Sequence, residues 1–428
     1  MKILWLATCD SFYDFILSNS NICHSNDGGW YIGLHQAILK HGQQSNIKLG
    51  IAFTCSNKQV PFKTCIDNCT YYPLIRPHKS ILKKLSSYLI RKMHFEELWS
   101  EEIDKIIDDF KPDLIHYFGI ESQMAYYLRK STIPSVINLL GILNPCKNAF
   151  FPNGMNQYSI KKYNRTFREL FLNNQYRYAY NNITIRATKE KELFSYCQNI
   201  AGRTHWDKAI ANLYAPQANY YTINEILRPV FYKSSKWNRK RRETIEIVST
   251  ISENIYKGYD LILKAATIMM SMHIKFQWKI IGISQNSDFA TFFEKHYNIS
   301  SATSNITLLG RLDAEQIQKI LLESDLYIHP SYIDNSPNSV CEAQYIGIPV
   351  IACYVGGIPS LIKHGINGWL IPTNEPHEIA FLVKHYNELP IEEISKQEIK
   401  IAEDRHNINK IYNELISCYN SILQKREI

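Results

Sequence analysis

Chemistry concentrates in one stretch of the chain, Asp325 to Ser360, DLYIHPSYIDNSPNSVCEAQYIGIPVIACYVGGIPS. The spacing predicts a strand at Leu326–His329, ending at Pro330-Ser331, and then a polar loop, Tyr332-Ile333-Asp334-Asn335-Ser336. Pro337 fits the first position of a helix that Ser336 can cap. Gly347 and Pro349 stop that helix before a strand at Val350. Free backbone N–H groups then point at the strand end, an anion site suited to a diphosphate, with Asn335, Ser336, Asn338 and Ser339 around it. Glu342 falls about a turn and a half into the helix, within reach of the vicinal hydroxyls of a ribose. Asp334 stands in the loop, where a carboxylate accepts hydrogen bonds from sugar hydroxyls. The plainer alternative is a capped surface helix with incidental acids.

Weaker signals lie elsewhere. Lys257-Gly258-Tyr259-Asp260 offers a cation at a turn, although a lone Lys-Gly is equally a solvated loop. In Asp27-Gly28-Gly29-Trp30, Gly28 and Gly29 let backbone approach a ligand closely, or form an ordinary turn. His116, on a strand, reads as packed rather than as a base. Arg203 either faces a ligand or pairs with Asp207 within its own domain.

Short apolar strands alternate with amphipathic helical stretches, which argues for parallel sheets with helices on both faces. In the first half the strands are expected at Lys2–Ala7, Leu49–Thr54, Leu114–Tyr117, Ser135–Leu140 and Asn199–Gly202, with helices at Tyr31–Lys40 and Glu96–Phe110. The second half restarts with a strand at Ile245–Thr250 and a helix at Tyr259–Met270. Strands follow at Gln277–Ile283, Ile306–Leu309, Leu326–His329, Val350–Cys353 and Trp369–Ile371. The polar, basic run Phe231–Glu243 separates the halves. Two doubly wound α/β domains are therefore expected, facing across a cleft with ligands at the carboxyl ends of the strands.

Composition narrows the class. A chain of 428 residues suits two domains, and 45% hydrophobic with 21% charged residues is ordinary for a folded protein. The net charge of +8 gathers partly in His78–Lys92 and Lys233–Arg242, but no nucleic-acid-binding module accompanies it. Ten cysteines form no CxxC pair or zinc spacing and read as reduced thiols. The apolar start is too short for a signal peptide, and no run is long enough to span a bilayer.

At Asp334 and Glu342, two acids separated by seven residues, the chain resembles the retaining GT-B glycosyltransferases of family 4 (glycosyltransferase group 1). Gly347-Ile348-Pro349-Val350 and Gly356-Gly357-Ile358-Pro359 follow in the family's register, and Lys257-Gly258-Tyr259-Asp260, Lys111–His116 and Ala201–Asp207 match further landmarks. The chain departs from the pattern at three places. Asp334 replaces the usual Glu, Ser252 stands where an arginine is frequent, and Leu140 where many members carry a histidine.

The resemblance implies transfer of a sugar from a nucleotide-diphosphate sugar to a glycan or lipid-linked acceptor, with retention of configuration, in cell-surface polysaccharide assembly. It makes Lys257 and Asp334 catalytic, with Lys257 on the donor phosphates and Glu342 on the ribose. It also places Gly310-Arg311 against the base, and Gly28-Gly29 toward the diphosphate or the reacting sugar. No Asp-x-Asp motif is present, so no metal and no further cofactor are expected. The implied domains are residues 1–234 on the acceptor side, 235–406 for the nucleotide sugar, and a helix, 407–428, packing back on the first. A cytoplasmic protein is expected, with peripheral membrane contact through Ser80–Met93 and no nucleic-acid partner. A nucleotide-sugar epimerase of the same fold and a catalytically silent sugar-nucleotide-binding subunit are the competing readings.

Overall fold

Short runs rich in apolar residues, buried in the central positions, form the strands of two separate sheets. The computed structural model describes residues 1–8, 29–55, 60–75, 99–158 and 167–425. Gly28 and the segment Ser80–Met93 therefore lie outside the described residues, while Gly29 opens the helix Gly29–Ser45.

Tertiary contacts divide the chain into two units. The first comprises 1–144, 181–226 and 406–428, and the second 145–180 and 227–405. The run expected to mark the boundary, 231–243, folds onto the second unit. There Trp237 donates its indole N–H to the Ser324 carbonyl at 2.7 Å, and Arg239 pairs with Glu392.

Among the described residues the first unit holds eight strands: β1 (Lys2–Ala7), β2 (Lys48–Cys55), β3 (Thr64–Ile66), β4 (Cys69–Ile75), β5 (Leu114–Phe118), β6 (Ser135–Asn138), β7 (Asn199–Gly202) and β8 (Asn219–Thr222). Their order is β3-β4-β2-β1-β5-β6-β7-β8, parallel except for the β3–β4 hairpin. Sequence reasoning missed β3, β4 and β8. A proline is disfavoured inside a strand, yet among the described residues β3 pairs only with Cys69–Tyr71, which leaves Pro73 beyond the β3–β4 ladder. The helix Ile408–Gln424 is pinned to this sheet by Tyr419. Its hydroxyl accepts the Trp5 indole N–H at 3.0 Å and lies 2.7 Å from His116 Nδ1. His116 is fully buried, and burial pushes its pKa down to about 3. It is a packed, neutral residue.

The second unit holds β9 (Ile245–Thr250), β10 (Phe276–Ile281), β11 (Ile306–Gly310), β12 (Leu326–His329), β13 (Val350–Cys353) and β14 (Trp369–Ile371). The order is β11-β10-β9-β12-β13-β14, all parallel. No helix among the described residues is long and apolar enough to cross a membrane.

Candidate active site

In an open parallel sheet, ligands bind where the strand order reverses, beyond the carboxyl ends of the two strands that flank the reversal. In the second unit those strands are β9 and β12. The loop after β9 carries Lys257, and the loop after β12 carries Asp334.

Two glycines hold these loops together. Gly258 has φ +77°, and a Cβ there would collide with the Pro330 carbonyl. Gly356 has φ +48°, and a Cβ there would collide with the Asp334 carbonyl. Gly357 donates its N–H to that same carbonyl at 3.0 Å. The loop after β12 is thus clasped from both sides by turns that only a residue without a side chain allows. Tyr332 tightens the clasp: its N–H reaches the Tyr256 carbonyl at 2.8 Å, and its hydroxyl donates to buried Asp260 at 2.8 Å. Asp260, the last residue of the Lys-Gly-Tyr-Asp motif, is therefore a scaffold residue.

This framework brings Lys257 Nζ to 2.6 Å from Asp334 Oδ2, with side chains 21% and 17% exposed. His329, at the end of β12, places Nε2 3.1 Å from the same oxygen. Burial alone would raise the Asp334 carboxyl, but the Lys257 charge and the His329 hydrogen bond hold it well below the usual carboxylate range. Burial would lower the Lys257 ammonium, and the Asp334 charge overrides it and raises it. The pair is therefore ionised at neutral pH. One N–H of the ammonium meets Asp334, so two remain for a ligand. Asp334 Oδ1 has no hydrogen-bond partner among the described residues.

The helix Asn338–Ile346 begins one residue later than expected. Pro337 is its N-cap residue, and no side chain caps it. Ser336 is instead buried, 3.3 Å from Arg405 Nη2 and 3.7 Å from Cys341 Sγ. The reason is geometric: Pro337 keeps ψ at 123°, an extended value, so the helix starts only after it. The backbone N–H groups of Asn338 and Ser339 have no acceptor among the described residues. Asn335, also buried, lines the turn before them.

Glu342 lies in this helix, buried, and both its oxygens are taken by Arg228 at 2.6 Å. Burial pushes its carboxyl up, and the Arg228 guanidinium pulls against that. A carboxylate oxygen offers two lone-pair sites, so each retains one for a hydroxyl. Arg228 and His329 escaped sequence reasoning. The only available signals were an Arg-Pro pair opening the short helix Pro229–Tyr232 and a histidine closing a strand.

Of the remaining expected residues, Gly310 ends β11 with φ +71°, and Arg311 beside it is exposed with no ion-pair partner among the described residues. Ser252 accepts a hydrogen bond from the Asn254 side chain at 2.9 Å. In the first unit, Arg203 meets Asp207 through its backbone N–H and Glu225 through its guanidinium. Asp207 caps its own helix by accepting the Arg203 and Thr204 N–H groups, whereas the Arg203 guanidinium lies 3.7 Å from Glu225 and donates to the Leu140 carbonyl at 3.2 Å.

With this geometry in place, likeness to other proteins becomes informative. Residues 233–405 match the family described as glycosyl transferases group 1. WcaL of Salmonella typhimurium, assigned by name to colanic acid biosynthesis as a glycosyltransferase, is 23% identical over 188 residues. That match spans 42% of this chain and 45% of WcaL, so this chain covers less than half of the relative's length. Among solved structures, sucrose-phosphate synthase from Thermosynechococcus elongatus superposes with a TM-score of 0.70 at 13% identity, covering 99% of this chain and 100% of that one. Anabaena HepE, solved in complex with UDP-glucose, superposes with a TM-score of 0.60 at 15% identity, over 98% of this chain and 100% of that one. The fold is the GT-B architecture of two parallel-sheet α/β domains, and its segment 233–405 carries the match to the group 1 glycosyl transferases.

Proposed function

We propose that this chain is a glycosyltransferase that moves a sugar from a nucleotide-diphosphate sugar to a glycan or lipid-linked acceptor, with retention of anomeric configuration. The observation that carries the reading is the Lys257–Asp334 ion pair at the β9/β12 reversal, with the Asn338 and Ser339 amides unsatisfied at the start of the helix that follows the Asp334 loop. A departing nucleoside diphosphate gains negative charge in the transition state, and preorganised donors aimed at it lower the barrier. Lys257 and the helix start supply those donors, so the reading calls for no metal ion. Asp334 accepts a hydroxyl of the transferred sugar through Oδ1 and fixes the lysine through Oδ2. Glu342, held by Arg228, accepts ribose hydroxyls, and Gly310-Arg311 flank the base.

The complex of HepE with UDP-glucose supports a nucleotide-sugar donor, and the assignment of WcaL supports a role in cell-surface polysaccharide assembly. In this reading the protein works in the cytoplasm, where the basic segment Ser80–Met93 meets the membrane when the acceptor is lipid-linked.

The test is incubation with a panel of nucleotide sugars and a lipid and glycan extract, following nucleoside diphosphate release and the anomeric proton of the product. Release coupled to a product of unchanged configuration is expected. Interconversion of donor sugars without transfer, or binding without turnover, would overturn the reading.

A further inference from the structure

The same topological rule applies to the first unit, where the order reverses between β1 and β5. The loop after β5 carries Glu121, whose carboxylate leans over the loop after β6 and accepts the Gly141 N–H on Oε1 at 3.3 Å. Side chains tie the neighbouring strand-end loops together. Arg203, after β7, donates to the Leu140 carbonyl, and Arg186 donates to the Glu121 carbonyl at 2.8 Å. A second carboxylate nearby has an ordinary structural explanation. Glu190 is buried with both oxygens partnered, taking the Leu143 and Asn144 N–H groups at 2.7 and 3.1 Å and the Asn144 side chain at 2.8 Å. Glu121 differs. Its Oε2 is buried and has no partner among the described residues; the hydrogen bond that Arg186 makes to this residue goes to the backbone carbonyl. A buried carboxylate oxygen without a donor is costly unless something supplies one.

We propose that Glu121 is a substrate contact of the first unit, its Oε2 accepting the hydrogen of an acceptor hydroxyl. The inference rests on the transferase reading and adds to it the residue that recognises the acceptor. The groups facing Glu121 are Glu190 and Arg186. Burial first, and then Glu190, push its carboxyl up to about 7, with its own backbone N–H, the Gly141 N–H and Arg186 acting in the opposite sense. Its acceptor capacity therefore switches on as pH rises through neutrality.

The experiment compares wild type with Glu121→Gln, at varied acceptor concentration, using the donor that wild type turns over. Glu121→Gln is expected to lower kcat/KM for the acceptor by about tenfold or more, as loss of one charge-assisted hydrogen bond to a hydroxyl requires. The donor KM and the melting temperature stay at wild-type values, and the acid limb of the rate profile near neutrality disappears. Glu121→Asp keeps an ionisable group but shortens its reach, so it loses acceptor kcat/KM while retaining an acid limb. Wild-type acceptor kinetics and an unchanged pH profile in both variants would overturn this inference alone. No nucleoside diphosphate release by wild type from any donor would instead remove the transferase reading, and this inference with it.

Discussion

Replacing Lys257 with alanine separates the electrostatic role of this residue from its structural one. The ammonium lies 2.6 Å from Asp334, and its two remaining N–H groups are the donors assigned to the departing diphosphate. Hydrogen bonds to charged groups contribute about 1.5–3 kcal/mol, so Lys257→Ala is expected to lower kcat/KM for the donor by about 10- to 150-fold. The variant also leaves Asp334 without its counter-charge. Breaking a fully buried pair costs about 3–5 kcal/mol, but these side chains keep 21% and 17% exposure, which reduces the cost to roughly 1–3 kcal/mol. For a unit of this size that corresponds to a melting temperature lower by about 2–12 °C. Adding Asp334→Asn removes the stranded charge, so the double variant is expected to recover most of the lost stability and none of the lost turnover. Calorimetry and a coupled nucleoside diphosphate assay read the two effects on the same preparations. Turnover within about threefold of wild type in Lys257→Ala, or turnover restored in the double variant, would refute the assignment.

Three further outcomes follow from the same geometry. Arg228→Ala strands Glu342, whose side chain is 3% exposed, and should destabilise the chain by about 3–5 kcal/mol; an unchanged melting curve would show that the pair contributes nothing. Gly356→Ala drives a Cβ into the Asp334 carbonyl and should weaken nucleoside diphosphate binding, measured by titration calorimetry, by about tenfold or more through displacement of the loop; wild-type affinity would refute the clasp. Asp334 is held below its ordinary value of 3.8 in the folded chain. The stability it contributes is therefore complete above about pH 4 and is lost as pH falls toward its depressed pKa. Acid unfolding curves of Asp334→Asn should lack that segment, and superposable curves would count against the ionised pair.

The parallel-sheet architecture was legible because central strands are largely buried and read as short, mostly apolar runs. Lys2–Ala7, Ile245–Thr250 and Val350–Cys353 fall where expected. Edge elements were not. The strand Asn219–Thr222 is short and half-exposed, and Pro73 masks Cys69–Ile75. The long helix Phe167–Phe194 carries no continuous apolar stripe and left no periodic signal. At the candidate site, Asp334 and Glu342 stood out because they share one loop and the helix that follows it, whereas Lys257 stood out only through the family resemblance. Their partners come from distant sequence: Arg228 is 114 residues from Glu342, and Lys257 is 77 from Asp334. Such pairings are set by tertiary packing, which leaves no local pattern to read. The cap was misread for a smaller reason, a proline whose ψ stayed extended.

The central claim is that the second unit grips a diphosphate at the reversal between β9 and β12. A crystal structure with a bound nucleoside diphosphate tests it most directly. The account predicts phosphate oxygens within hydrogen-bond distance of Lys257 Nζ and of the Asn338 and Ser339 N–H groups. A nucleotide bound elsewhere, with Lys257 still turned wholly to Asp334, would contradict it.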